Sequence, residues 1–105
     1  MTVSSTISVA RDFSPSPAGR YCTDGPFPGQ LFRDNFLIPA LRENESVTID
    51  LDGTSGFGSS FLEEAFGGLV RNGFTESELA SKLLIKSSRP SYEKRIWNYI
   101  HSGSG

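Results

Sequence analysis

The sequence predicts a single α/β domain in which helices pack on a small mixed sheet. Its 105 residues and 11.4 kDa suit one domain and leave no room for a second. Residues 46–51 alternate apolar and polar side chains and are rich in β-branched types, which is typical of a strand. The periodic and capped segments along the chain follow the order β-α-β-α-α-β-α. Helices between successive strands favour parallel pairs in the sheet.

The first half of the chain predicts two strands that flank a helix. Residues 1–5 are expected to be a disordered start, and residues 6–13 alternate as a first strand would. Residues 14–29 contain four prolines and three glycines and predict a long loop. Residues 30–42 carry apolar side chains at helical spacing, and the strand at residues 46–51 follows.

A second helix is expected over residues 60–72. Ser60 and Glu63 have the spacing of a capping box, in which a hydroxyl and a carboxylate each accept a hydrogen bond from a free backbone amide. Gly67 and Gly68 lie inside this helix, where each glycine costs roughly 1 kcal/mol relative to alanine. That cost predicts a helix packed tightly against the sheet.

The last third of the chain predicts a short helix, a strand and a long helix. A second capping box begins at Thr75, and its helix is expected to end near residue 81. Residues 83–86 are apolar and predict a strand, and a proline begins the final helix over residues 90–101. Residues 102–105 are expected to form a disordered end of the single domain that spans residues 1–105.

The composition excludes several classes of partner. A net charge of −2 and a pI near 5.3 argue against nucleic-acid binding. The chain has one cysteine and therefore no internal disulfide. It contains no apolar run of about 20 residues and no signal-peptide pattern, so no membrane association is expected. These features predict a cytoplasmic protein.

The chemistry-bearing residues favour a protein that is not an enzyme. Cys22 lies in the proline-rich loop and His101 near the C-terminus, so they are not expected to form a catalytic pair. Asp50 and Asp52 could bind Mg²⁺ at the end of a strand, although a solvated strand end explains them better. We therefore expect no catalytic residue, no metal and no cofactor.

Two loops enter helices in a context that suits anions, because free amides and the helix dipole attract negative charge there. One is the glycine-rich segment that ends at Ser60, which lacks the lysine and the spacing of a nucleotide-binding loop. The other ends at Gly29 and has Arg20 and Arg33 within reach in sequence. A phosphate-bearing ligand could bind there. The alternative is a rigid loop whose Arg33 pairs with a local acid.

Two segments carry a resemblance to a known family. Residues 47–69 (VTIDLDGTSGFGSSFLEEAFGGL) and residues 19–33 (GRYCTDGPFPGQLFR) resemble the STAS-like domains of unknown function, DUF4325. This resemblance implies a STAS-like fold in a bacterial regulatory protein.

The chain is more distantly similar to the anti-sigma-factor antagonists of the STAS fold. In those proteins a strand that reads DLS is followed by DSSG at the start of the next helix, and a partner kinase phosphorylates the second serine of DSSG. Alignment from Asp50 places Ser60 at the phosphorylated position. Gly58 replaces the acid of that motif, and Phe61 replaces its glycine. The alternative for Ser60 is that it only caps the helix.

The resemblance implies a regulatory module that binds a protein partner, such as a kinase-like ATPase or another signalling or defence protein. The expected partner-binding or phospho-switch loop consists of Asp52, Gly53, Thr54, Ser55, Gly56, Phe57, Gly58, Ser59 and Ser60. A small-ligand or nucleotide sensor that uses the two loop-to-helix junctions is the alternative. The possibility that the chain forms a homo-oligomer stays open.

Overall fold

A three-stranded parallel sheet organises the chain in the computed structural model, which describes residues 3–103. The strands are β1 (Ser4–Ser8), β2 (Ser46–Asp50) and β3 (Leu83–Lys86), and their order in the sheet is β1-β2-β3. Four helices accompany them: α1 (residues 29–43), α2 (residues 59–71), α3 (Glu76–Lys82) and α4 (Pro90–Ser102). The predicted α/β fold class is confirmed. The expected mixed sheet is wrong in one respect, because both of its strand pairs are parallel.

The helices cover one face of this sheet. Every connection between neighbouring strands contains a helix. Connections between parallel strands are almost always right-handed, so in a sheet of this strand order successive helices lie on the same face. Burial alternates accordingly along β2, where Val47 and Ile49 are fully buried and the residues beside them are only half-buried. The opposite face of the sheet carries Thr6, Thr48 and Leu84 in one row.

The first strand is shorter than predicted and begins earlier. Ser4 and Ser5 belong to β1 and not to a disordered start, and Val9–Phe13 forms a single π-helical turn. In this turn the amide of Ser8 donates to Asp12 Oδ2 at 2.8 Å, and the Ser8 hydroxyl accepts from the Arg11 amide. Such local hydrogen bonds replace those of a sheet ladder. At the other end, Ser102 belongs to α4. Of the two predicted disordered ends, residues 1–2 and 104–105 lie outside the described residues, and Val3 and Gly103 belong to no strand or helix.

Helix α2 is the central element of the core. It packs between α1 and α4, and its residues Phe61 and Phe66 are almost completely buried. Helix α1 approaches it so closely that a Cβ on Gly29 would lie 2.5 Å from the carbonyl oxygen of Phe61.

The two glycines inside α2 serve contacts with other helices, and the prediction that they pack against the sheet is wrong. A Cβ on Gly67 would lie 3.1 Å from the Tyr99 carbonyl oxygen of α4, and one on Gly68 would collide with the Arg33 side chain of α1. The glycines therefore make room for a neighbouring helix and for a buried guanidinium group.

The two predicted capping boxes have different outcomes. The box at Thr75 is confirmed, because its hydroxyl accepts from the Glu78 amide and the Glu78 carboxylate accepts from the Thr75 amide. The box at Ser60 is wrong, because α2 begins at Ser59 after Gly58 and no side chain caps this end. The Glu63 carboxylate instead bonds to arginines, as described below.

Candidate functional site

The expected partner-binding loop lies at the carboxyl-terminal edge of the sheet, between β2 and α2. Six of its nine residues are exposed, Thr54 and Gly56 are half-buried, and Phe57 is buried. The turn of the loop requires a left-handed backbone at Gly53 and Gly56, where φ is +94° and +135°. Residues other than glycine rarely adopt these backbone conformations.

Local hydrogen bonds hold the backbone of this loop. The Thr54 hydroxyl donates to the Leu51 carbonyl at 3.2 Å, and the Ser55 amide donates to the Pro15 carbonyl at 2.8 Å. The second bond joins the loop to the proline-rich segment that follows β1. The loop is thus held both by the end of β2 and by the proline-rich segment.

The segment after β3 supports the same loop through Asp52. One carboxylate oxygen of Asp52 accepts from the Ser88 amide at 2.8 Å and from the Ser88 hydroxyl at 2.9 Å. These two hydrogen bonds hold the pKa of Asp52 below its ordinary value. A cleft of about 160 Å³ lies between the two segments, and Gly53, Arg89 and Tyr92 are among the residues that line it.

Tyr92 anchors the end of the loop from α4. Its ring meets the buried Phe57 ring edge-on, with centroids 5.3 Å apart, and its hydroxyl lies 3.4 Å from the Phe57 amide. A Cβ on Gly56 would lie 3.3 Å from the same hydroxyl. Phe57 therefore fixes the loop and is not available to a partner.

Ser59 and Ser60 are exposed in the first turn of α2. Beyond this turn α1 and α4 cover the helix, and residues 64–69 are all buried. A partner can therefore reach the loop and the first turn of α2, but little of the rest of that helix.

The expected anion-binding residues lie together elsewhere, between α1 and α2. Arg33 is 6% exposed, and its Nη1 lies 2.5 Å from Glu64 Oε2 and 2.9 Å from the Glu64 carbonyl oxygen. Arg20 donates to both Glu63 and Glu64. Both guanidinium groups are already neutralised by carboxylates, and Gly29 serves the close approach of the two helices.

Arg71 completes this ion cluster, which consists of Arg20, Arg33, Glu63, Glu64 and Arg71. Its Nη1 lies 2.7 Å from Glu63 Oε2. This hydrogen bond and that from Arg20 outweigh partial burial and hold the pKa of Glu63 below its ordinary value. Burial opposes the charge of Arg33, but the hydrogen bonds to Glu64 and Asp34 outweigh it and raise its pKa.

The remaining candidate residues are scattered. Asp50 Oδ2 lies 3.7 Å from Lys86 Nζ, Cys22 is an exposed free thiol, and His101 Nδ1 lies 2.9 Å from a carboxylate oxygen of Glu76. Among residues 3–103, no three His, Cys, Asp or Glu side chains are grouped so that they could hold a metal ion. In the same part of the chain no helix is both long and apolar enough to cross a membrane.

Comparison with known families agrees with this architecture. The model of the STAS-like domain of unknown function (DUF4325) matches residues 28–93. The chain belongs to this family. No curated protein and no solved structure is significantly similar to the chain. STAS-like domains are typically non-catalytic, and the matched region of this STAS-like domain includes the whole loop between β2 and α2.

Several residues of the site are absent from the sequence-based prediction. Ser88 and Tyr92 support the loop of the STAS-like domain from 36 and 35 residues away in sequence, and nothing local marks them. Glu64 does carry a signal, because it interrupts the apolar stretch of α2 where a solvated acid is not expected.

Proposed function

We propose that this chain is a non-enzymatic regulatory module that binds a kinase-like ATPase through loop 52–60 and the first turn of α2. The observation that carries the proposal is the exposure of Ser59 and Ser60 on a held loop of a STAS-like domain, next to a helix end that no side chain caps. The partner transfers the γ-phosphoryl group of ATP to Ser60 Oγ, and this phosphorylation switches the binding of the two proteins. ADP leaves, and the hydroxyl proton is released.

The position of Ser60 suits a phosphate without harm to the fold. It lies in the first turn of a helix of thirteen residues, where unpaired amides and the helix dipole favour negative charge. A phosphoserine adds between one and a half and two negative charges at neutral pH. The domain keeps its structure while the electrostatic potential of the partner-binding surface changes, which is what a switch requires.

The test combines three variants with one extract. Tagged wild-type chain, Ser60→Asp, Ser60→Ala and the control Ser81→Asp, an exposed serine on α3, are incubated with extract of the native cells, and bound proteins are quantified by mass spectrometry. We expect an ATP-binding protein that Ser60→Ala and Ser81→Asp retain and Ser60→Asp loses at least tenfold. The same protein should phosphorylate the wild-type chain but not Ser60→Ala.

Equal recovery by Ser60→Asp and Ser60→Ala would contradict the switch. Loss with Ser81→Asp as well would mean that added charge anywhere weakens binding, and loop 52–60 would then not be the binding surface.

The cleft between loop 52–60 and the start of α4 favours a second candidate function, a small-ligand or nucleotide sensor. It lies at the carboxyl ends of β2 and β3, the edge at which parallel sheets bind ligands, and Arg89 lines it. Thermal unfolding with millimolar ATP, GTP or inorganic phosphate separates the two functions. A sensor gains melting temperature by mass action, and Arg89→Ala removes that gain. The switch module shows no gain.

A further inference from the structure

Strand β3 has an open edge with an apolar character. It pairs with β2 on one side, and within residues 3–103 no strand pairs with its other side. Its sequence is Leu83-Leu84-Ile85-Lys86, and Leu84 is 57% exposed on the face of the sheet that the helices leave uncovered. Open edges of this kind can pair with a further strand.

The register with β2 decides which backbone groups of β3 are free. The Lys86 carbonyl accepts from the Leu51 amide at 2.8 Å, so Lys86 directs its backbone groups toward β2. Backbone groups alternate in direction along a strand, so Leu84 also faces β2 and Ile85 directs its amide and carbonyl outward. Ile85 can therefore exchange two hydrogen bonds with one residue of an antiparallel strand.

We propose that β3 pairs antiparallel with β3 of a second copy of this chain and forms a continuous six-stranded sheet around a two-fold axis. The outward groups of Ile85 set the register, because Ile85 exchanges both hydrogen bonds with Ile85 of the second copy. Leu84 then lies directly opposite Lys86 of the second copy on the uncovered face. The alkyl stem of that lysine covers the exposed leucine.

The second copy is the occupant because the strand is complementary to itself in this register. No like charges lie opposite each other, and the one large exposed apolar side chain of the strand gains a partner. The other edge, β1, has the sequence SSTIS and shows only small polar side chains on the uncovered face, so it offers no such cover. Four residues bury little area, and we expect a dissociation constant on the order of 100 μM.

The experiment is sedimentation equilibrium under reducing conditions from about 10 μM to about 1 mM, a range that spans the expected constant. Four chains are compared: wild type, Leu84→Lys, Leu84→Lys with Lys86→Glu, and the control Thr6→Lys. Thr6 lies in the same row and on the same face as Leu84 but on β1, so the control adds an equal charge at the opposite edge. All three substituted sites, Thr6, Leu84 and Lys86, are exposed, and circular dichroism checks that each variant is folded.

We expect wild type and Thr6→Lys to approach twice the 11.4 kDa monomer mass as the concentration rises. Leu84→Lys should weaken the dimer at least tenfold, because two lysines then lie opposite each other. Adding Lys86→Glu should restore association, since each introduced lysine then faces a glutamate. A wild-type chain that stays monomeric would overturn the proposal. So would equal weakening by Thr6→Lys, or association that Leu84→Lys leaves unchanged. Weakening without rescue would overturn the register.

Discussion

The buried ion pair between Arg33 and Glu64 gives the sharpest prediction about stability. Both residues are less than 10% exposed, and Arg33 also donates to the Glu64 carbonyl oxygen. Arg33→Met keeps most of the apolar stem but removes the charge, so it leaves the Glu64 carboxylate buried without its nearest partner. Removing one member of a buried pair costs about 3–5 kcal/mol.

The structure reduces this figure, because Arg20 and Arg71 remain 3.3 and 3.7 Å from Glu64 Oε1. We therefore expect Arg33→Met to lose about 2–4 kcal/mol of unfolding free energy. Arg20→Met is the matched control. Its side chain is 31% exposed, and pairs of this exposure contribute about 1 kcal/mol or less.

Urea unfolding followed by circular dichroism measures both losses, with the slope against urea used to check that the variants unfold alike. Combining Arg33→Met with Glu64→Leu should recover part of the loss, because no charge is then left buried without a partner. If Arg33→Met costs no more than Arg20→Met, the carboxylate of Glu64 must reach solvent and the reasoning fails.

Three further predictions use the same unfolding assay. Phe66 is completely buried in the centre of α2, so Phe66→Ala should cost about 3–5 kcal/mol, and a near-wild-type melting point would contradict the assigned core. Thr75→Ala breaks a formed capping box and should cost about 1 kcal/mol, whereas Ser60→Ala removes no cap and should stay within about 0.5 kcal/mol; equal costs would restore Ser60 as a cap. Because the pKa of Glu63 is lower in the folded state, its contribution is complete above the unfolded value of about 4.3 and is lost as pH falls through the folded value. Glu63→Gln should therefore flatten the decline of stability in that acidic range, and an unchanged decline would show that other carboxylates cause it.

Segments with strong local signals were predictable from the sequence. The bounds of β3 agree with the prediction at both ends, and β2, α1, α3 and α4 agree to within one or two residues. In these segments the periodicity of apolar side chains, or the reciprocal hydrogen bonds at Thr75, involve residues that lie close together in sequence. The resemblance to the STAS-like family depended on the same local motifs.

Segments in which other hydrogen-bond partners compete with the local pattern were not predictable. The start of α2 matched a capping box, but two arginines that lie 43 residues before and 8 residues after Glu63 take its carboxylate. The residues after β1 alternate like a strand, yet hydrogen bonds at Ser8 turn them into a π-helical turn. At the start of α2 the arginine partners of Glu63 outweighed the capping pattern, whereas after β1 the competing hydrogen bonds are themselves local.

Local patterns in the sequence were thus enough to predict the fold class, most of the elements and the loop that leads to Ser60. The roles of the charged residues, in contrast, depend on contacts that form only in the folded chain. Arg20 and Arg33 stand near a loop-to-helix junction in sequence, as anion ligands would, but the close crossing of α1 and α2 brings them onto Glu63 and Glu64. The physical reason is that a charge in a packed interior requires an opposite charge within a few ångströms, and only the folded chain determines which one is there.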